Sequence, residues 1–179
     1  MSRDLAMPLP GHELGPAAHL AHAVIAFGAN LGDRQAAITR AAARIERLPL
    51  VESVVLSNTV ETIALRPDGP DPDAPRYLNA VALVATRLAP QVLLGLLHAI
   101  EEEQGRERGV RWADRTLDLD LVTYDAVVSD DPRMLLPHPR AGERLFVLEP
   151  WLSVDPDAVL PGQGRVADLV AALRAAEGQ

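Results

Sequence analysis

Two aspartates separated by a single residue are the side chains in this sequence best suited to chemistry. Asp118 and Asp120 lie within residues 117–124, an apolar stretch whose composition predicts a β-strand. Side chains on a strand alternate between its two faces, so both carboxylates are expected to point to the same side. The leucines that alternate with them are expected to point into the core, namely Leu117, Leu119 and Leu121.

A pair of carboxylates held this close indicates a metal site. Adjacent carboxylates repel each other unless a cation lies between them or one of them binds a proton. Mg²⁺ suits such a pair, because proteins commonly hold it with one or two carboxylates, water and substrate phosphates. The spacing of Asp118 and Asp120 leaves one alternative open, which is a solvated face of an edge strand.

The basic residues just before this pair favour the metal interpretation. All 17 basic residues of the chain are arginines, whose guanidinium groups can bind two phosphate oxygens at once. Carboxylates for a metal beside guanidiniums for phosphate oxygens are what a metal–polyphosphate complex requires. Pairing with residues 101–103 would account for one or two of these arginines but not for all four, which are Arg106, Arg108, Arg111 and Arg115.

Three further polar or aromatic features could belong to the same site. Trp112, inside the arginine-rich segment, either covers the core or forms a wall for a flat ligand. His138 lies between two prolines and close to Arg140 and Arg144, so it either donates to a phosphate or has a structural role. His98 and Glu101 share one stripe of a predicted helix, where surface polarity is the default interpretation.

Composition limits the class of protein. The length of 179 residues fits one domain, and the absence of cysteine excludes disulfides and thiolate chemistry and fits a reducing cytoplasm. The formal net charge of −8 argues against general nucleic-acid binding. No apolar run is long enough to cross a membrane, and the N-terminus does not resemble a secretory signal. Without lysine, the chain also cannot form a Walker-type phosphate loop.

The elements that must position these residues follow from hydrophobic periodicity. Residues 1–22 contain several prolines and glycines and are expected to form a flexible extension or linker before a single domain at 23–179. The predicted elements are a strand at 23–27, a glycine loop at 28–33, a helix at 33–48, a strand at 51–62, an exposed loop at 63–76, a strand at 77–86, a helix from Pro90 to about Gly105, a loop at 105–115 and a strand at 117–124. An apolar stretch at 145–148 and a helix at 166–176 complete the chain.

This order predicts an α+β fold. Strand, helix, strand, strand, helix, strand is the ferredoxin-like βαββαβ order, in which helices pack on one face of a mostly antiparallel sheet. The segments after residue 124 are expected to form a C-terminal extension of that core.

Five ordered motifs give the sequence a family resemblance. The strongest is Gly105-Arg-x-Arg-x-x-x-Trp-x-x-Arg-Thr-Leu-Asp-Leu-Asp120, and the others are Phe27-Gly-Ala-Asn-Leu-Gly-Asp-Arg34, Tyr77-Leu-Asn79, Leu136-Pro-His-Pro-Arg140 and Arg144-x-Phe-Val-Leu148. With these motifs the chain resembles the 6-hydroxymethyl-7,8-dihydropterin pyrophosphokinases of folate synthesis, whose fold is ferredoxin-like. The sequence departs from the family pattern at Ala29, Ile63-Ala64 and Ala113-Asp114.

The resemblance implies a reaction and a phosphate site. The β,γ-pyrophosphate of ATP would be transferred to the pterin hydroxymethyl group, with release of AMP. Asp118 and Asp120 would hold two Mg²⁺ ions, and Arg106, Arg108 and Arg115 would act with them as catalytic residues. The remaining residues expected to contact ATP are His98, Glu101, Arg133, His138 and Arg144.

The resemblance also implies a pterin site and a cellular context. The bicyclic ring would lie between Tyr77 and Phe146, with Asn79 reading its polar edge, and the other expected pterin contacts are Asn30, Thr62, Leu65 and Trp112. A cytoplasmic monomer is expected, functionally linked to other enzymes of the folate pathway, with no nucleic acid or membrane as a partner. A non-catalytic module that binds Mg²⁺ and a nucleotide, and a structural protein whose arginines pair only with its own acids, are the competing hypotheses.

Overall fold

The computed structural model describes residues 19–66, 69–104 and 116–177. Nine strands occur in these segments: β1 Ala21–Ala29, β2 Val51–Leu56, β3 Val60–Thr62, β4 Ala64–Arg66, β5 Gly69–Asp71, β6 Tyr77–Thr86, β7 Asp118–Tyr124, β8 Val159–Leu160 and β9 Gly164–Arg165. The helices are α1 Arg34–Glu46, α2 Pro90–Glu103, α3 Leu145–Val154 and α4 Val166–Glu177, and a short 3₁₀ turn covers Ala141–Glu143. In this part of the chain, no helix is long and apolar enough to cross a membrane.

The main sheet confirms the ferredoxin-like prediction. Its strands are ordered β2-β6-β1-β7, and β3 also pairs with β6. The pairs β1–β6, β1–β7, β2–β6 and β3–β6 are all antiparallel. β1 and β6 are therefore the central strands, and β7, which carries the two aspartates, lies at an edge.

One face of the sheet is covered by α1 and α2. The Asp33 carboxylate begins α1 by accepting a hydrogen bond from the Ala36 N–H at 3.0 Å. The predicted apolar stripe then faces the sheet, since Ile38 and Ile45 are fully buried against Ile25 and Phe27. The alternation predicted for β7 is confirmed, because Leu119 and Leu121 of the strand and Leu117 just before it are all part of this core.

The opposite face is covered as well, by α3 and α4. Val24, Val81 and Val122 of the central and edge strands pack there with Leu148 and Trp151 of α3. The two helices of the predicted core, α1 and α2, therefore share one face as expected, and the C-terminal extension covers the other face, which the sequence did not predict. The C-terminal segments form a second core instead of an appendage, because the sheet exposes valines on its other side that need cover.

Local boundaries differ from the predictions in three places. The exposed loop predicted at 63–76 contains the small hairpin β4–β5, in which Ala64 lies opposite Asp71. The strand predicted at 51–62 is interrupted at 57–59, where the Ser57 hydroxyl accepts the Val81 N–H at 3.0 Å and replaces a ladder bond. β1 begins at Ala21, two residues before the predicted strand, so residues 21 and 22 belong to the sheet.

Candidate active site

A row of residues crosses the sheet at the level of Asp118. Asp118 of β7 lies opposite Gly28 of β1, and Gly28 lies opposite Asn79 of β6. Residues directly opposite each other in a sheet point to the same face. That face is the one covered by α3 and α4, because Val81, two positions after Asn79, belongs to the second core.

Gly28 provides an open space between the two sides of this row. A Cβ atom at position 28 would lie 3.6 Å from Asn79 Oδ1, 3.7 Å from Tyr77 Cδ1 and 4.0 Å from Asp118 Cβ. Three side chains therefore converge on the same spot, and any side chain larger than a methyl group would fill it. One predicted metal residue, Asp118, and two predicted pterin residues, Tyr77 and Asn79, thus border the same space.

Asn79 organises the side of the site where the sequence predicts the pterin residues. Its side chain is 4% exposed, and its Nδ2 donates to Thr62 Oγ1 at 2.9 Å and to the Val60 carbonyl at 3.4 Å. These bonds to β3 orient the amide so that its Oδ1 faces the space above Gly28. Thr62 itself lies opposite Tyr77. Three of the predicted pterin residues therefore form one group across β3 and β6.

A network around Arg34 joins the glycine loop to this group. The Arg34 guanidinium donates to the Arg76 carbonyl at 2.7 Å and lies 2.9 Å from the Glu61 carboxylate. Asn30, which is 3% exposed, donates to the Pro75 carbonyl at 3.5 Å. No role for Arg34 is predicted from the sequence, although its place at the end of the glycine-loop motif and the start of α1 is a usable signal.

Asp120 organises the side of the site where the sequence predicts the phosphate contacts. Its Oδ2 lies 3.7 Å from Arg144 Nη1 and 4.0 Å from His138 Nε2. The loop carrying His138 is fixed to β7 because the His138 N–H donates to the Val122 carbonyl at 2.8 Å. Arg144 immediately precedes α3, so its guanidinium reaches Asp120 from the face that α3 covers.

The protonation of this group follows from its burial. Desolvation lowers the pKa of His138 below its ordinary value, and Arg144 and Arg140 lower it further, while Asp120 acts in the opposite direction. His138 Nδ1 accepts the Arg140 N–H at 3.2 Å, so the neutral ring carries its proton on Nε2, which faces Asp120. Desolvation also lowers the pKa of Arg144, while the nearby Asp120 carboxylate raises it. An arginine nevertheless remains charged at neutral pH.

Arg144 also links the two sides of the site. Its guanidinium carbon lies 5.5 Å from the centroid of the Phe146 ring, within the range of a cation–π contact. Phe146 is half-buried and packs against the second core. The Arg144 Nε is buried and has no hydrogen-bond partner within residues 19–66, 69–104 and 116–177. An arginine with an unused buried donor is suited to an incoming anionic ligand.

Three other residues are predicted to contact ATP, and their surroundings differ from those of His138 and Arg144. Glu101 is 1% exposed and accepts the Leu119 N–H at 2.8 Å, while His98 is half-buried on the same helix. Arg133 forms a two-pronged pair with Asp131 in its own exposed loop, and this pairing lowers the pKa of Asp131 to about 2. Their contacts with ATP stay predictions.

Several predicted residues lie outside the described segments. They are Arg106, Arg108, Trp112 and Arg115. Leu65 belongs to β4, where it lies opposite Pro70. The roles that the sequence predicts for these five residues stay predictions.

The chemistry of the acid pair can be compared with what Mg²⁺ requires. Within the segments that the structure describes, no three His, Asp or Glu side chains cluster to form a complete metal cage. Asp118 and Asp120 are half-buried on the same face of β7, and the Asp120 side chain is 39% exposed. Two carboxylates open to solvent fit Mg²⁺, which usually retains waters and takes further oxygen ligands from substrate phosphates.

Comparisons with known proteins agree with this architecture. Residues 24–156 match the family model of 7,8-dihydro-6-hydroxymethylpterin-pyrophosphokinase (HPPK). A 2-amino-4-hydroxy-6-hydroxymethyldihydropteridine pyrophosphokinase from Pseudomonas aeruginosa is 40% identical over 148 residues, which cover 83% of this chain and 89% of the relative. The Haemophilus influenzae protein of the same name is 38% identical over 148 residues, covering 83% and 90%.

A solved structure supports the fold at low sequence identity. The Plasmodium falciparum HPPK-DHPS aligns with a TM-score of 0.64 at 12% identity, over 89% of this chain and 43% of that one. The chain therefore spans less than half of that larger protein. At this identity, the similarity bears on the fold alone.

The fold and the site define an α+β enzyme that transfers a phosphate-containing group from a nucleotide. The chain belongs to the 7,8-dihydro-6-hydroxymethylpterin-pyrophosphokinase family. Its reaction is the transfer of pyrophosphate from ATP to the hydroxymethyl group of 6-hydroxymethyl-7,8-dihydropterin, a step of folate biosynthesis.

Proposed function

We propose that this chain carries out pyrophosphate transfer with Asp118 and Asp120 holding Mg²⁺ between the protein and ATP. The observation that carries the proposal is the row from Asp118 across Gly28 to Asn79. In support of it, Asp118 approaches the space above Gly28 from one side, and Tyr77 and Asn79 approach it from the other. A phosphate donor and a flat acceptor bound on the two sides of Gly28 would then lie next to each other.

The two sides of the site have complementary tasks. On the phosphate side, Arg144 and His138 lie beside Asp120 and can donate to the oxygens of the transferred group. On the acceptor side, Tyr77 and Phe146 offer aromatic surfaces for a planar ring, and Asn79 offers Oδ1 to its polar edge. Bound Mg²⁺ would supply charge neutralisation for the phosphates.

The reaction balances without a covalent protein intermediate. The hydroxymethyl oxygen of the pterin bonds to the β-phosphorus of ATP, and the bond from that phosphorus to the α,β-bridging oxygen breaks. AMP leaves with the bridging oxygen, and the hydroxyl proton passes to solvent. The protein's contribution is to align the two substrates and to stabilise the charge of the transferred group.

The proposal has finer parts that were expected from the sequence. They are two magnesium ions per site, a cytoplasmic monomer, functional linkage to other folate-pathway enzymes, and a single domain from residue 23 onward. Roles for Arg106, Arg108, Arg115, Trp112 and Leu65 belong to it as well, as do ATP contacts by His98 and Arg133.

The decisive assay is AMP formation from ATP, Mg²⁺ and 6-hydroxymethyl-7,8-dihydropterin. We expect AMP to form only when all three are present, in a one-to-one ratio with the pterin diphosphate. Calorimetry of ATP binding without turnover would instead indicate a non-catalytic nucleotide-binding module. Absence of pterin-dependent AMP from correctly folded protein would refute the proposed activity.

Arg34→Ala is expected to weaken pterin binding. The substitution removes the hydrogen bond to the Arg76 carbonyl and the ion pair with Glu61, which hold the residues next to Tyr77 and Thr62. Because the ion pair is partly exposed, its own contribution is small, so the expected increase in the pterin KM is about three- to tenfold. The KM for ATP should change less.

Arg40→Ala is the matched control for this variant. Arg40 lies on the same helix and is exposed, so its loss should leave both KM values near those of the unmodified protein. Equal pterin KM values for the two variants would show that the Arg34 network does not position the acceptor site.

A further inference from the structure

The strand that carries the two aspartates has only one strand neighbour among the described residues. β7 pairs with β1 and lies at the end of the sheet. On the outer side of an edge strand, buried N–H groups need partners from outside the sheet. The Leu119 N–H has such a partner, because it donates to Glu101 Oε1 of α2 at 2.8 Å.

Glu101 is an unusual residue to find in this position. It is 1% exposed and lies in the last turns of α2, next to the buried Ile100. Burial of a carboxylate costs free energy unless strong hydrogen bonds compensate for the lost water. A bond from a carboxylate to a backbone N–H is of the stronger, charge-assisted kind. Glu101 therefore does more than cover the helix surface.

The bonded residue is the one between the two aspartates. The Leu119 N–H belongs to the peptide unit that joins Asp118 to Leu119, and the next peptide unit leads to Asp120. In a strand, the orientation of these peptide units sets the direction of the flanking side chains. The Leu119 side chain is held in the first core at the same time. Glu101 thus fixes the backbone at the centre of the acid pair.

We propose that Glu101 is a positioning residue that holds β7 at Leu119 so that Asp118 and Asp120 keep the direction needed to bind Mg²⁺. The inference rests on the proposed metal role of the two aspartates. It assigns to Glu101 a contact with the protein backbone, and the ATP contact expected from the resemblance stays a separate prediction. The acceptor oxygen, and not the negative charge, is the property that positioning requires.

Three variants separate positioning from other roles. Glu101→Leu has a similar volume and no acceptor, whereas Glu101→Gln retains an acceptor oxygen but no charge. Glu103→Ala is the matched control, because Glu103 lies on the same helix and pairs with the exposed Arg44 at 2.9 Å. Folding of each variant is checked by circular dichroism and thermal unfolding.

Two measurements are made on each variant. The first is hydrogen exchange at the Leu119 amide in the absence of substrates, which reports the bond without any activity. The second is the Mg²⁺ concentration that gives half of the maximal rate, together with kcat and the pterin KM. For Glu101→Leu we expect exchange and the Mg²⁺ requirement each to rise about tenfold, with the pterin KM changed by less than about threefold.

Glu101→Gln is expected to restore both properties to within about threefold of the unmodified protein. The inference is overturned if Glu101→Leu keeps a protected Leu119 amide and an unaltered Mg²⁺ requirement. It is also overturned if Glu101→Gln protects the amide but is as impaired as Glu101→Leu, because the charge would then be what matters. If Glu101→Leu does not fold, the Leu119 amide exchange and the Mg²⁺ requirement of Glu101→Gln decide whether the inference holds.

Failure of the proposed function would look different. In that case, neither the unmodified protein nor any variant would show pterin-dependent AMP formation. The exchange rate at Leu119 would still report whether Glu101 holds β7.

Discussion

Asp120→Asn is expected to lower kcat by about two to three orders of magnitude. The substitution keeps the size of the side chain but removes the charge that lies 3.7 Å from Arg144 and 4.0 Å from His138. Asparagine is a poor ligand for Mg²⁺ in this setting, because a carboxylate supplies both the charge and the oxygen that the cation prefers. The measurement is AMP formation at saturating ATP and pterin over a series of Mg²⁺ concentrations.

The effect should appear mainly in kcat and in the Mg²⁺ requirement. The pterin KM should change less, because Tyr77 and Asn79 lie on the other side of Gly28. Asp118→Asn is expected to behave in the same way, since Asp118 shares the strand face with Asp120. Asp157→Asn provides the control, because the Asp157 side chain is 93% exposed and pairs only loosely with Arg165 at 3.6 Å.

Loss of fold must be excluded as the cause. Asp120→Asn deprives Arg144 of a carboxylate neighbour, and the Arg144 side chain is 19% exposed, so some destabilisation is expected. Thermal unfolding of the variant should nevertheless remain cooperative. Near-normal activity in a folded Asp120→Asn protein would contradict the metal role of the pair.

The elements with clear periodicity could be predicted from the sequence. β6 was predicted at its observed bounds of Tyr77–Thr86, and α2 from Pro90 to within two residues of its end. Both contain uninterrupted apolar patterns with a terminator nearby. The pairing of Asp118 with Asp120 on one face followed from the two-residue period of a strand alone.

Other elements could not be predicted because their signals conflict or are not local. α3 is apolar on nearly all sides and contains Pro150, so it shows neither a stripe nor an uninterrupted helical pattern. The β4–β5 hairpin lies in a stretch rich in proline and aspartate, which is typical of loops. The position of Gly28 between Asp118 and Asn79 depends on the register of three strands distant in sequence.

Among the substitutions proposed here, loss of the Trp151 side chain from the second core is expected to reduce stability the most. Trp151→Ala is expected to lower the free energy of unfolding by about 3–5 kcal/mol. The Trp151 side chain is 3% exposed and packs in the second core with Leu148 and Val81. Its removal leaves a cavity that the surrounding side chains cannot close fully, because residues of the sheet and of α4 line the other sides.

Trp151→Phe separates the loss of volume from the loss of a polar group. The indole Nε1 is buried and has no hydrogen-bond partner among the residues the structure describes. Substitution by phenylalanine therefore removes no observed hydrogen bond. The free energy of unfolding is expected to fall by about 1–1.5 kcal/mol because the ring is smaller. Val159→Ala is the control, since Val159 is 56% exposed and should shift stability by less than about 0.5 kcal/mol.

Denaturant unfolding followed by circular dichroism measures all three variants without relying on tryptophan fluorescence. The Trp151→Ala protein should also lose activity at temperatures well below those that inactivate the control. The reason is that α3 begins directly after Arg144 and contains Phe146, so loosening this helix displaces a cation from Asp120 and a ring from the acceptor side. A Trp151→Ala stability within about 1 kcal/mol of the unmodified protein would show that the second core does not support the site.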